Sequence, residues 1–218
     1  MSVNFVKCNS VLITGASRGL GLQMIKHLVG ISERPKKIIA TARNPATAQE
    51  LQQIAKSHAE VHIVPLDVVN DASIEAAVQK VSSIVGPAGL NCLINNAGIA
   101  ITSDLNSETR DSMMTTFQCN TISPLFITKA FLPLLRAAAG GRTAAGLNML
   151  TRSLAVDLQP DGILCTVVHP GWVQTDMGGK EAPLTPEESI SSLLAVVSAL
   201  SEKDHGQFLD YEGKNLPW

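Results

Sequence analysis

Ser10-Val11-Leu12-Ile13-Thr14-Gly15-Ala16-Ser17-Arg18-Gly19-Leu20-Gly21 is the stretch on which the fold turns. Ser10–Thr14 reads as a short buried strand and Leu20–Val29 as an amphipathic helix, so the glycines at 15, 19 and 21 fall in a strand-to-helix turn. Glycine there keeps the turn tight, lets the backbone approach a pyrophosphate and seats the helix close to the sheet. The helix start then offers free N–H groups and a partial positive charge to phosphates. A glycine-rich turn alone is often only structural. The strand before it and the helix after it are the context in which it binds a dinucleotide.

Outward from this unit the pattern repeats. Lys37–Thr41, Val61–Pro65 and Leu90–Ile94 read as strands, with Ala46–Ser57 and Ile74–Val85 as the helices between them and Gly86-Pro87 as a stop signal. Ser107–Ala139 is a long helical pattern that Pro124 and Pro133 should kink or divide. Leu147–Leu158 is helical, Leu164–Val168 a strand, Pro186–Ser201 a helix and Gln207–Tyr211 a short last strand. Strands alternating with helices predict an α/β fold, a single Rossmann-type doubly wound parallel sheet over residues 1–218.

Composition agrees and excludes other classes. The 218 residues are 45% hydrophobic and 17% charged, with two Trp, five Phe and a single Tyr, Tyr211. A chain of this length buries roughly 70% of its unfolded surface and needs no disulfide or metal staple. A net charge of −2 removes the usual electrostatic reason to bind nucleic acid or an anionic membrane. Cys8, Cys92, Cys119 and Cys165 are widely spaced, with no C-x-x-C pair, and read as free thiols of a cytoplasmic protein. No secretory leader and no membrane-length apolar run is expected.

The adenosine half of a dinucleotide is read at the end of the second strand, where a carboxylate would pair with a ribose 2′-OH. Here Thr41-Ala42-Arg43 stands instead. Arg43 and Arg18 can hold a 2′-phosphate as fork donors, which favours NADP over NAD, although either could be a solvated surface charge. Asp67, followed by Val68, could accept from the adenine amino group or cap its own turn. Asn95-Asn96-Ala97-Gly98 follows the fourth strand at the carboxyl edge, where open α/β sheets bind ligands.

These motifs, with Asn120 to Phe126 as N-T-I-S-P-L-F and Pro170 to Met177 as P-G-W-V-Q-T-D-M, resemble the short-chain dehydrogenase/reductase family in order and spacing. The closing stretch G-Q-F-L-D-Y-E-G-K-N-L-P-W is similar to the sniffer-type and C-factor-like carbonyl reductases within it. The resemblance implies hydride transfer between NADP(H) and a small carbonyl substrate, in a homodimer or homotetramer. It implies a cofactor along Gly15, Ser17, Arg18, Gly19, Leu20, Gly21, Arg43, Asp67, Val68, Asn96, Ala97 and Gly98, with Pro170, Gly171, Val173 and Thr175 by the nicotinamide. Substrate would enter beneath the loop from Met177 to Pro186. His169 is expected to be a satisfied neighbour of the Pro170-Gly171 turn.

In that family a Tyr acts as acid/base, a Lys one helical turn on lowers its pKa, a Ser orients the carbonyl and an Asn supports a relay water. Asn120 matches the Asn. The others are missing: the helix that should open with Tyr-x-x-x-Lys begins here near Thr143, and no Tyr or Lys precedes it. Tyr211 and Lys214 have the wrong spacing, and Lys129 has no Tyr partner. The pattern also lacks a central strand between Ala139 and Thr143. Gly140, Gly141 and Arg142 reach at most about 14 Å, whereas two parallel helices would need a return of roughly 20 Å. Either the molecule holds a longer segment there than these 218 residues, or the deletion is genuine and leaves a non-catalytic NADP-binding or dimerising module. The first is favoured, because a lost central strand would leave unpaired backbone groups and a hole in the core.

Overall fold

The computed structural model describes residues 8–138, 143–145 and 148–217. Its elements follow the alternating order: β1 (Ser10–Ile13), α1 (Gly19–Gly30), β2 (Lys37–Ala42), α2 (Gln49–Ser57), β3 (Val61–Pro65), α3 (Asp71–Val85), β4 (Cys92–Ile94), α4 (Arg110–Phe117) and α5 (Ser123–Ala138). Then come β5 (Thr143–Ala145), α6 (Asn148–Leu158), β6 (Ile163–Cys165), β7 (Val167–His169), α7 (Pro186–Ala199) and β8 (Phe208–Asp210). Four strands pair in parallel in the order β3-β2-β1-β4. Beyond them β5 packs against β4 and pairs in parallel with β6, and β7 pairs in parallel with β8. Because β7 continues β6 after Thr166, the sheet is doubly wound, with the strand order reversing between β1 and β4.

Both faces of the sheet are buried, which is why the strands are apolar without strict alternation. Val11 and Ile13 point to one face, where Ile25 and Leu28 of α1 and Ile190 and Leu194 of α7 close over them. Leu12 points to the other, with Val81 of α3, Ile127, Phe131 and Leu135 of α5, and Leu158 of α6. Side chains fix the starts of α3, α4 and α7. The Asn70 side chain accepts from Ser73 N at 2.8 Å ahead of α3, and Thr185 and Glu188 form a reciprocal capping box ahead of α7.

Three sequence expectations change. The segment after the short link is not the start of a helix: Thr143–Ala145 is a strand, and α6 begins at Asn148. The central strand expected to be missing is therefore present beside β4. A helix returning directly into a parallel strand requires only a short connection. The link itself, Gly140 to Arg142, lies outside the described residues. Next, the strand expected over Leu164–Val168 is two, interrupted at Thr166, whose Oγ1 donates to Gln207 O at 3.0 Å. Lastly, the long helix over Ser107–Ala139 is divided by a π-turn, Gln118–Ile122. Pro124 has no N–H to give the Asn120 carbonyl, so the regular ladder breaks there, while Pro133 is accommodated inside α5.

The cysteines are free thiols as expected: Cys92, Cys119 and Cys165 are buried and Cys8 is half-buried. Burial pushes the Cys165 thiol up to about 12. At pH 8 a maleimide should therefore label Cys8 in the folded protein and leave Cys165 unmodified until denaturant is added, which peptide mass mapping reads directly. Phe131 is fully buried in the second face of the core. Phe131→Ala should lower unfolding free energy by about 3–5 kcal/mol in urea titrations.

Candidate active site

Every predicted cofactor residue before the α5–β5 link lies at the carboxyl end of β1, β2, β3 or β4. The glycine turn is anchored by a buried hydroxyl. Thr14 Oγ1 accepts from Asn96 N and Ala97 N, both at 2.9 Å, and Asn96 Nδ2 donates back to Thr14 O at 2.8 Å and Gly15 O at 3.2 Å. The turns after β1 and β4 are thus one unit. Gly15 takes φ +68°, and a Cβ there would lie 2.9 Å from the Ala97 Cα. A Cβ on Gly21 would overlap the Gly15 carbonyl oxygen and sit 2.6 Å from Asn96 Nδ2. Only glycine lets the two turns of this cradle approach so closely, with Ser17 and Leu20 half-buried beside them and Gly19, at φ +57°, facing open space.

Around it, Arg18 and Arg43 are exposed. Arg18 Nη1 makes an ion pair with Asp176 Oδ2 at 2.9 Å. Arg43 has no ion pair among the described residues. Asp67 does the second of its two possible jobs: its Oδ1 accepts from Val69 N at 3.2 Å and caps the turn that Val68 occupies. Asn95 Nδ2 donates to Thr128 Oγ1 at 3.1 Å, tying the loop to α5. Asn120 sits in the π-turn and clamps the same loop from below. Its Oδ1 accepts from Ile99 N at 2.9 Å and its Nδ2 donates to Ile99 O at 2.8 Å. Gly98 passes beside it, where a Cβ would come within 3.4 Å of Asn120 Oδ1.

The loop after β7 forms the opposite lip. His169 Nδ1 accepts from Gly171 N at 3.0 Å, the satisfied role expected of it. Pro170 O accepts from Ser189 Oγ at 2.6 Å, and buried Val173 bridges to Leu184. Thr175 Oγ1 accepts from Gly178 N at 3.1 Å. Gly171 takes φ +83°, with Leu184 and the Tyr211 ring filling the space a side chain would need. Tyr211 therefore packs beneath this turn, and Lys129 lies exposed over Phe126, 6.0 Å from its centroid. Neither replaces a Tyr-x-x-x-Lys pair. Asp176 is the residue that sequence reasoning passed over. It lies in the quoted P-G-W-V-Q-T-D-M stretch, but nothing local reveals that it faces a residue of the first turn. Among the described residues there is no cluster of three or more His, Cys, Asp or Glu, and no helix long and apolar enough to cross a membrane.

A family model described as short chain dehydrogenase matches residues 9–144. An uncharacterized oxidoreductase of Schizosaccharomyces pombe is 31% identical over 248 residues, covering 94% of this chain and 96% of the relative. That alignment is longer than the 218 residues here, so the relative carries residues without a counterpart in this chain. Among solved structures, the NADPH-bound carbonyl reductase from chicken fatty liver superposes with TM-score 0.92 at 40% identity, over 97% of this chain and 99% of that one. The carbonyl reductase Sniffer of D. melanogaster gives TM-score 0.92 at 34% identity, over 97% and 100%.

The cradle's tolerance can be tested by stability alone. Gly21→Ala should cost about 1–3 kcal/mol from overpacking. Gly30→Ala, at the end of the same helix with nothing within 4 Å of the new methyl, should be neutral or gain up to about 1 kcal/mol. Equal effects in urea denaturation would contradict the packing argument.

Proposed function

The chain belongs to the short-chain dehydrogenase family of oxidoreductases, and from that premise we propose that it binds NADP(H) and acts on a small aldehyde or ketone. The observation that carries this reading is the glycine cradle, welded to the β4 loop by Thr14 and Asn96 and flanked by Arg18 and Arg43, with no carboxylate at the end of β2. Gly15 and Gly21 let the two turns pack against each other, and Gly19, with nothing within 4 Å of where a Cβ would stand, leaves the start of α1 open to a pyrophosphate. The two guanidiniums fit a 2′-phosphate. The NADPH bound by the chicken carbonyl reductase, at 40% identity, supports the same choice.

When bound, the cofactor supplies the hydride that a carbonyl carbon accepts. The chain's own residues position and enclose it. Asn96, Ala97 and Gly98 form the floor of the site, Asn120 fixes that floor through Ile99, and the Pro170–Thr175 segment forms the facing wall. The carbonyl oxygen must also take a proton. The chain's one Tyr is packed under Gly171 and does not take the place of the family's acid/base. Loss of a positioned acid/base costs roughly 10²–10⁴-fold in rate.

A second reading follows from that same Tyr: an NADP(H)-binding module without turnover. In it the exposed Met113, Met114, Phe117 and Phe126 of α4 and α5 would serve pairing with a second copy. Self-association of the family's kind, into a homodimer or homotetramer, belongs to the enzyme reading and is not expected if the deletion is genuine; a cytoplasmic setting is expected in both.

Protein whose intact mass equals that of the 218-residue chain should bind NADPH in a fluorescence titration. With a panel of reactive carbonyls it should oxidise NADPH at a rate roughly 10²–10⁴-fold below a member with the Tyr-Lys pair. Binding without any turnover selects the module. Protein carrying an additional segment of a few kilodaltons, and turning over at full rate, would place the missing acid/base in that segment. Absence of NADPH binding would overturn the proposal.

A further inference from the structure

The Arg18–Asp176 ion pair joins the two lips of the cleft. Arg18 opens α1 with extended backbone and donates none of its charge to a helix cap. Its Nη1 reaches Asp176 Oδ2 at 2.9 Å although both side chains are mostly exposed, 77% and 81%. Asp176 is offered by a loop that is already organised. Gly178 N and Gly179 N bond back to Thr175, Trp172 Nε1 donates to Gly178 O at 2.7 Å, and Gln174 N donates to Leu184 O at 2.9 Å. The carboxylate is thus held near the guanidinium by the fold of its own loop. Arg43, the other cation at the adenosine end, makes no ion pair among the described residues.

We propose that Asp176 is a specificity-determining residue: its carboxylate competes with the cofactor's 2′-phosphate for Arg18 and so attenuates the preference for NADP(H) over NAD(H). This rests on the NADP(H) reading above. A phosphate carries up to two negative charges and three acceptor oxygens, so it displaces a single exposed carboxylate from the guanidinium. A cofactor with a bare 2′-OH has nothing to exchange for the pair and leaves it intact. Binding of NADP(H) therefore breaks the Arg18–Asp176 contact, whereas binding of NAD(H) does not.

The test is a set of binding titrations with NADPH and NADH on the wild type, Asp176→Asn, Arg18→Ala and the double variant. Each is first checked for folding by circular dichroism. Exposed ion pairs of this kind correspond to at most a few-fold in an equilibrium constant, so D176N should bind NADPH about two- to five-fold more tightly while its NADH affinity stays the same. The gain should vanish in the R18A background. An equal gain for NADH would show a general charge effect, persistence of the gain without Arg18 would assign it to Arg43, and weaker NADPH binding would make Asp176 a closing contact over the cofactor. Each of these overturns the proposal. Failure of the wild type to bind NADPH at all is a different result, and overturns the proposed function along with this inference.

Discussion

The Thr14 hydroxyl is the contact on which the site depends. It is buried, 1% exposed, and accepts the two N–H groups with which β4 leaves the sheet. Thr14 N donates to Ile94 O at 3.0 Å, so backbone and side chain of one residue together weld the ends of adjacent strands. Asn96 completes the weld by returning its amide to the carbonyls of Thr14 and Gly15. Valine at position 14 would keep the volume but leave two buried N–H groups unsatisfied, at a cost of about 1–3 kcal/mol each. The glycines matter because of this closeness. With the β4 loop drawn against the first turn, no room remains for a methyl group at 15 or 21.

The carboxyl edge is presented by a sheet whose other end is equally fixed. Ser10 Oγ donates to Gly89 O at 3.0 Å and accepts from Asn91 N at 3.0 Å, while Asn91 Oδ1 accepts from Ser10 N at 3.1 Å. The β1–β4 pair is thus bound at both ends, and apolar residues fill its two faces between. Beyond it the later strands are three residues each and rely on braces between elements. His205 is one: its Nδ1 accepts from Cys165 N at 3.2 Å and its Nε2 lies 2.8 Å from Ala155 O, linking β6 to α6. Arg136 and Asp161 are another, joining the end of α5 to the turn before β6 at 2.8 Å.

What the sequence disclosed and what it hid divide along the range of the interactions. The glycine turn, the strand order's alternation and the helix stops depend on neighbours within a few residues, and Val61–Pro65 appears with the bounds read from the chain alone. The π-turn at Asn120 required knowing how a helix absorbs Pro124 rather than that Pro124 disturbs it. The strand at Thr143–Ala145 could not be read locally, because Thr-Ala-Ala fits helix as well as strand and only the open place between β4 and β6 decides. The partner of Arg18 lies 158 residues away in the chain, beyond any local pattern. Asp67 was legible as a choice between two roles, and its turn hydrogen bond shows one of them.

The cradle and the segment in which a Tyr-x-x-x-Lys pair would stand lie in different parts of the fold. The glycine turn, Arg43, Asp67 and the Asn95–Gly98 loop all arise from the hydrogen-bonded sheet β3-β2-β1-β4, whose backbone is complete before the α5–β5 link is reached. The family model's match ends at residue 144, at the same boundary. Among the described residues the loop after β7 supplies the facing wall, which is maintained by Tyr211, Leu184 and Ser189. The contacts that shape the cradle therefore do not depend on the segment between α5 and α6.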